Sequence, residues 1–155
     1  PPNPSKVFRV PDQALVYEVT DDNGDLDAII LPIQGYGLWS TLYGYLALDP
    51  DMNTIRGITY YEQGETAGLG GEVENPRWKA KWPGRKVYDD RGRIKIAVKK
   101  GPAGPPAEDP YQVDGIAGAT ITSRGVTNML HFWLGEEAFG PYIEKQKEAA
   151  ASASS

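Results

Sequence analysis

The sequence predicts an α+β domain, an antiparallel β-sheet with a few flanking helices, and three observations point there. Short stretches of apolar alternation recur along the chain, separated by turns rich in Asp, Asn and Gly, which is the patterning of strands and hairpins. Two or three helical stretches gather at one side of these strands instead of alternating with them, as a parallel βαβ fold would require. The 155 residues suit one domain and are enough to bury a sizeable core. A single soluble domain over 1–155 is therefore expected, with 1–12 and 146–155 as extended or frayed tails.

Ala14 to Thr20 alternates and is rich in β-formers, Asp21-Asp22-Asn23-Gly24 is a strong turn, and Leu26 to Ile33 is a second apolar run. The first unit reads as a β-hairpin. Asp21, Asn23, Asp25 and Asp27 invite a calcium loop, but the glycine is at the wrong offset and Pro32 stands where the closing Glu belongs, so an acidic turn is the better reading. Leu42 to Leu48 and Ile55 to Tyr61 form a second strand pair around DPDMNT, whose carboxylates also miss the calcium spacing. Gly64 to Gly71 is glycine-rich, yet it lacks the third glycine of the dinucleotide fingerprint and its frame of strand, turn and helix; a Rossmann site is rejected.

Asn75 caps a short helix that has Pro76 at its first position, runs through Lys81 and is stopped by Pro83 and Gly84. Arg93 to Val98 alternates charge with Ile94, Ile96 and Val98 and reads as a strand, with Lys95, Lys99 and Lys100 as a solvated face. The proline-rich stretch from Gly101 to Pro110 is an extended connection.

Asp114 to Ser123, DGIAGATITS, carries the most functional information. Gly115, Gly118 and Ala119 let backbone approach a ligand closely. Thr122 or Ser123 is placed as the N-cap of a helix starting just after Thr120, with Val126, Met129, Leu130 and Trp133 on one face and Gly135 as its C′ stop. The free N–H groups and positive dipole end of that helix make the turn an anion site, Arg124 adds a full charge, and the expected ligand is a phosphate at Thr120. On physics alone, a plain loop before a helix is the commoner reading of such a pattern. His131 lies off the apolar stripe and is expected at the surface, with no catalytic role.

Sixteen Lys and Arg against 21 Asp and Glu give a net charge of −5 without a basic stripe or an aromatic RNA-binding signature, which argues against nucleic acid as a partner. With no cysteine and one histidine, Cys-based iron–sulfur clusters and His/Cys zinc sites are excluded, so a redox role needs an organic cofactor and no metal ligand is assigned. No nucleophile has a general base nearby, and no residue is assigned as catalytic. No segment approaches the roughly 20 apolar residues that cross a bilayer.

Four segments in order, GYGLWSTLYGYLALDPDMNTIRGITYYE from Gly35, ETAGLGGE from Glu65, NPRWKAKWPGRKV from Asn75 and DGIAGATITSRGV from Asp114, closely resemble the C subunit of the sodium-translocating NADH:quinone oxidoreductase. More distantly they resemble the G subunit of the Rnf electron-transfer complex. The resemblance runs from Val7 to Tyr142. It implies one covalent FMN per chain, joined by a phosphoester to the last residue of a D-x-x-[ST]-G-A-[ST] motif, here Thr120, through a flavin transferase that reads the motif. It further implies an electron carrier that relays single electrons among the other subunits of an inner-membrane complex, which oxidises NADH, reduces ubiquinone and exports sodium. The domain would face the periplasm on an N-terminal membrane helix that is absent from this chain, and would itself touch neither NADH nor quinone. Two positions depart from the family pattern: Ala117 stands where Ser or Thr is usual, and Ala67 where Pro is common.

The same resemblance brings the GYGLWS and ETAGLG loops to the flavin, so Leu38, Trp39, Glu65, Thr66, Gly68 and Leu69 are expected as its wall and edge. Gly118, Ala119, Thr122 and Ser123 are expected around the phosphate and ribityl chain. Trp39 either stacks on the ring or fills the core. Leu69, a large apolar residue inside a glycine-rich loop, has little local packing to serve. Glu65 is either a proton-coupled group beside the flavin or a solvated loop carboxylate. An Rnf-type G subunit and a flavin-free interaction module of the same fold are the rival functions, the second hinted at by Ala117.

Overall fold

A computed structural model describes residues 15–154, so the expectations for 1–12 and for Ala14 fall outside the described residues. Strands β1 (Tyr17–Thr20), β2 (Leu26–Tyr36), β3 (Thr41–Leu48) and β4 (Ile55–Glu62) form a four-stranded antiparallel sheet in chain order. The alternation read from the sequence puts Ile29, Leu31 and Ile33 of β2, with Leu42, Leu46 and Leu48 of β3, into the core. In the first turn the Asp21 carboxylate accepts the amides of Asn23 and Asp25, a local bonding pattern that fixes the turn without a ligand.

β2 runs three residues past the Ile33 end expected from the sequence, through Pro32 to Tyr36. Pro32 is accommodated because β1 pairs with β2 only as far as Ile30; beyond it Pro32 faces β3 alone, opposite Tyr45. In β4 a bulge between the pairs Ala47↔Gly57 and Leu48↔Ile55 leaves Arg56 as the extra residue. Its guanidinium reaches Asp49 at 2.8 Å and Asp27 at 3.1 Å, while Asp51 accepts the amides of Asn53 and Thr54. On the outer face of the sheet Tyr17, Tyr45 and Tyr61 form a ring cluster with centroid spacings of 6.5 and 5.4 Å.

Helix α1 (Pro76–Lys79) begins as the sequence indicates, with the Asn75 side chain accepting the Arg77 amide, but it ends before the expected Lys81. The strand expected over 93–98 shrinks to β5 (Ala97–Val98), because the amides of Lys95 and Ile96 both turn to the Val87 carbonyl. β5 pairs in parallel with β6 (Gln112–Val113), a small second sheet apart from the antiparallel one. Two longer helices follow, α2 (Thr120–Trp133) and α3 (Gly140–Ser154), the latter helical over 146–154 of the stretch expected as a frayed end or tail.

α2 lies directly on β2. A Cβ on Gly125 would sit 2.4 Å from the Tyr36 carbonyl oxygen, Met129 crosses Gly35, and the Trp133 indole donates to the Gln34 carbonyl at 2.7 Å. The expected stripe of Val126, Met129, Leu130 and Trp133 is buried here, with Gly125 allowing the close approach. His131 is partly buried, correcting the surface expectation. Its Nε2 sits 2.7 Å from the Ile96 carbonyl and ties α2 to the β5 segment.

Arg85 is a buried charged residue that no local pattern announces. It is 3 % exposed; its Nε donates to the Lys81 carbonyl and its Nη1 to the carbonyls of Gly104 and Asp109, fastening the proline-rich connection to the turn that follows α1. Arg85→Met leaves those carbonyls without donors at about 1–3 kcal/mol each. The melting temperature followed by circular dichroism is expected to fall by roughly 10 °C. Arg85→Lys is expected to recover little, since an ammonium lacks the planar fork.

Candidate functional site

α2 starts at Thr120 itself, correcting the cap assignment: its N-cap is Ala119, no side chain caps the helix, and Thr122 and Ser123 lie inside the first turn. Thr120 is exposed at the first helical position, and the N–H groups of Thr120, Ile121 and Thr122 precede the first intrahelical bond, which the Ser123 amide makes to the Ala119 carbonyl at 3.0 Å. The turn before it bends at Gly118, whose φ is +73°. A Cβ there would also meet Leu69 Cδ2 at 2.9 Å, so the glycine-rich loop abuts the Thr120 turn. Ala117, the departure from the motif, is exposed in the same turn.

Asp114, at the head of this segment, holds it in place by three bonds. Its carboxylate accepts the Ala103 amide at 3.0 Å and the Lys81 ammonium at 2.9 Å, and its carbonyl accepts the Trp78 indole at 2.9 Å. Burial opposes its charge, yet the bonds from Lys81 and Ala103 prevail and hold the carboxyl below the usual carboxylate range. Farther along, the Ser123 hydroxyl accepts the Ile116 amide at 3.4 Å, closing the loop onto the helix.

A cleft of about 730 Å³ opens over Thr120, within the usual range of small-molecule sites. Its charged lining is Lys99, Lys100, Arg124 and Asp114, and Asp114 is already paired with Lys81. The cleft is therefore positive on a chain of net charge −5. Lys99 and Lys100, expected as a solvated strand face, belong to the site. Parallel pairing sets them there, the Lys99 amide donating to Val113 at 3.0 Å, and no local sequence signal encodes it.

The two loops expected as walls stand beside this turn. Leu38, Trp39 and Leu69 are exposed, Trp39 by 65 %, which rules out the core-filling reading of the tryptophan. Thr66 and Gly68 are exposed too, and the Thr66 carbonyl accepts the amides of Leu69 and Gly71 to shape the loop. Glu65 is the correction. It is 9 % exposed, not solvated, and its carboxylate accepts the amides of Leu38, Trp39 and Ser40 and the hydroxyls of Ser40 and Thr122. Burial opposes the charge, but the bonds from Leu38, Thr122, Trp39 and Ser40 outweigh it and hold the carboxyl below its usual range. Thr122 is buried with its hydroxyl committed to Glu65, whereas Ser123 lines the cleft.

An exposed threonine on an open helix start, a cationic cleft and, on the loops beside it and outside the cleft's own lining, an apolar rim of Leu38, Trp39 and Leu69 suit an anionic ligand with a flat apolar part. The class follows from comparison: the FMN-binding domain family matches residues 37–135, more than half of the chain, and the chain belongs to that family. Within it, the chain is of the NqrC type. It is 53% identical over 135 residues to the Na(+)-translocating NADH-quinone reductase C subunit of Yersinia pestis, covering 87% of this chain and 50% of that protein. The corresponding protein of Pseudomonas aeruginosa is 53% identical over 137 residues, covering 88% and 52%. The crystal structure of Shewanella oneidensis NqrC matches with a TM-score of 0.89 at 39% identity, over 95% of this chain and 67% of that one. The chain spans about half the length of the curated relatives it matches.

Two substitutions test the site's construction. Leu69→Ala is expected to cost under about 1 kcal/mol, because Leu69 is 43 % exposed, against roughly 2–5 kcal/mol for a buried leucine. Denaturant titration of the flavin-free domain reads the difference. For Asp114 the sign is fixed by its depressed folded pKa: its stabilisation is present above the unfolded value and lost as pH falls through the folded one. Asp114→Asn is expected to lower stability by about 1 kcal/mol at neutral pH and to flatten the acid limb of the stability–pH curve.

Proposed function

We propose that this domain is an electron carrier that holds one FMN covalently, through a phosphoester at Thr120. It works as part of a Na(+)-translocating NADH:quinone reductase in the bacterial inner membrane. The observation that carries the reading is the placement of the Thr120 hydroxyl, exposed at the first position of an uncapped helix and inside the cationic cleft. The residues present fit the group. The first-turn N–H groups, Lys99, Lys100 and Arg124 suit a phosphate, and Leu38, Trp39 and Leu69 offer exposed apolar surface to a flat ring. FMN, when bound, supplies one-electron redox chemistry, and the protein's share is binding, orientation and electrostatics.

Thr120 Oγ1 would be the acceptor of the FMN phosphate, attached by a flavin transferase, and the first-turn amides with Lys99, Lys100 and Arg124 would hold the phosphate oxygens. The helix start and the cleft cations offset the negative charge on the phosphate oxygens. Once joined, the cofactor remains with the domain on the periplasmic face, and the other subunits of the complex are the electron donors and acceptors. The N-terminal membrane helix of the family would hold the domain at that surface. Among the described residues no helix is long and apolar enough to cross a membrane.

Coexpression with the transferase tests the reading. The wild-type chain is expected to keep flavin fluorescence through denaturing electrophoresis, and Thr120→Ala to lose it while remaining folded. Denaturation-resistant flavin on the alanine variant would move the attachment point. Ala117→Ser restores the hydroxyl common in the motif and is expected to raise the flavinylated fraction when transferase is limiting, read by intact-protein mass spectrometry.

A further inference from the structure

The Glu65 carboxylate is joined to two parts of the site that are far apart in sequence. Oε1 accepts the Leu38 amide at 2.6 Å and the Thr122 hydroxyl at 2.8 Å, and Oε2 accepts the amides of Trp39 and Ser40 and the Ser40 hydroxyl, each at 2.9 Å. Leu38 and Trp39 belong to the rim, 27 and 26 residues from Glu65; Thr122 lies 57 residues away, in the helical turn that presents Thr120. The Ser40 hydroxyl, having donated to Glu65, accepts the Gly64 amide at 2.8 Å and fastens the residue before Glu65 as well.

Among the described ion pairs none involves Glu65, so its charge is met by hydrogen-bond donors instead of a cation. A carboxylate only accepts, and five donors more than match its roughly four lone-pair sites, leaving it unsuited to donate a proton to a neighbour. The space around it is closed. A Cβ on Gly37 would lie 2.3 Å from Oε1, so the 37–40 loop wraps the carboxylate at van der Waals distance. Three successive amides converging on one anion fix the backbone of Leu38 and Trp39, and this explains how two large apolar side chains stay exposed without folding back onto the core.

We propose that Glu65 is a positioning residue that locks the Leu38–Trp39 rim to the first turn of α2, and so sets where the flavin ring lies relative to its anchor at Thr120. The proposal rests on the FMN reading given above. It makes Glu65 neither a flavin ligand nor a proton donor; it acts through the elements it joins.

Two variants separate positioning from charge. Glu65→Gln presents an NH₂ group where amide donors converge and removes the charge, whereas Thr122→Val keeps the carboxylate and its bonds to the 38–40 amides and cuts only the link to α2. In the flavin-free domain, amide hydrogen exchange at Leu38, Trp39 and Ser40 is expected to speed up by about tenfold or more in Glu65→Gln, with the core strands unchanged, and to stay near wild type in Thr122→Val. In the flavin-loaded domain both variants are expected to retain denaturation-resistant flavin and to shift its midpoint potential. Wild-type exchange at 38–40 in Glu65→Gln overturns the proposal, and so does an unchanged potential in Thr122→Val, which would leave Glu65 acting by charge alone. If Glu65→Gln does not fold, the potential of Thr122→Val decides. A wild-type chain that takes up no flavin in the presence of the transferase would sink the FMN reading, and with it the positioning role; a loaded variant indistinguishable from wild type would sink the positioning role alone.

Discussion

The close approach of α2 to β2 is the constraint on which the rest of the domain depends. Gly125, Met129 and Trp133 recur at helical spacing and meet Tyr36, Gly35 and Gln34 in turn, so the helix runs back along the strand with its start at the strand's end. That end of the sheet is also where β2 turns into β3 and where β4 gives way to the glycine-rich loop. The helix start, the 37–40 connection and the 63–70 loop therefore meet because of one packing contact. A side chain at 125 would lift α2 off the strand and take Thr120 with it, so a residue outside the lining of the cleft governs the cleft's geometry.

Much of this was legible in the sequence, and the parts that were not share a cause. Alternation found β1 to β4 within a few residues, Asn75 and Pro76 announced α1, and the small-residue turn before a helical stripe located the start of α2. Those signals are local. The Ile33 end of β2 was short of the true one because the tolerance of Pro32 depends on where β1 stops, a fact about the neighbouring strand. Lys95 and Ile96 alternate like strand residues, yet their amides turn to Val87 across the intervening turn, a pairing that alternation does not specify. Thr122 and Ser123 have the chemistry of caps, but Glu65 claims one and the Ile116 amide the other. Arg85 and the cleft lysines likewise owe their places to partners across the fold.

Electrostatically the domain combines two designs. Its surplus of acidic side chains gives a negative overall field, while the cations at the cleft and the open helix start make one region locally positive. At physiological salt the distant charges are screened within about 8 Å, so a ligand inside the cleft responds to the near cations and dipoles and hardly to the net charge. The buried Glu65 and the partly buried Asp114 follow a different rule. Glu65 and Asp114 remain ionised because amides and hydroxyls, or one ammonium, have been brought to them, and each uses its charge to hold backbone in place.

Pro32 has a consequence beyond the fit of one strand. Among the described residues β1 covers β2 only to Ile30, so around Pro32 that edge lacks a neighbouring strand, and edges of this kind recruit strands from other molecules. A proline there has no donor to offer an incoming strand, and its ring crowds the position such a strand would occupy. A chain that must keep an apolar rim in the open thus carries, on another side, a built-in obstacle to edge-to-edge aggregation.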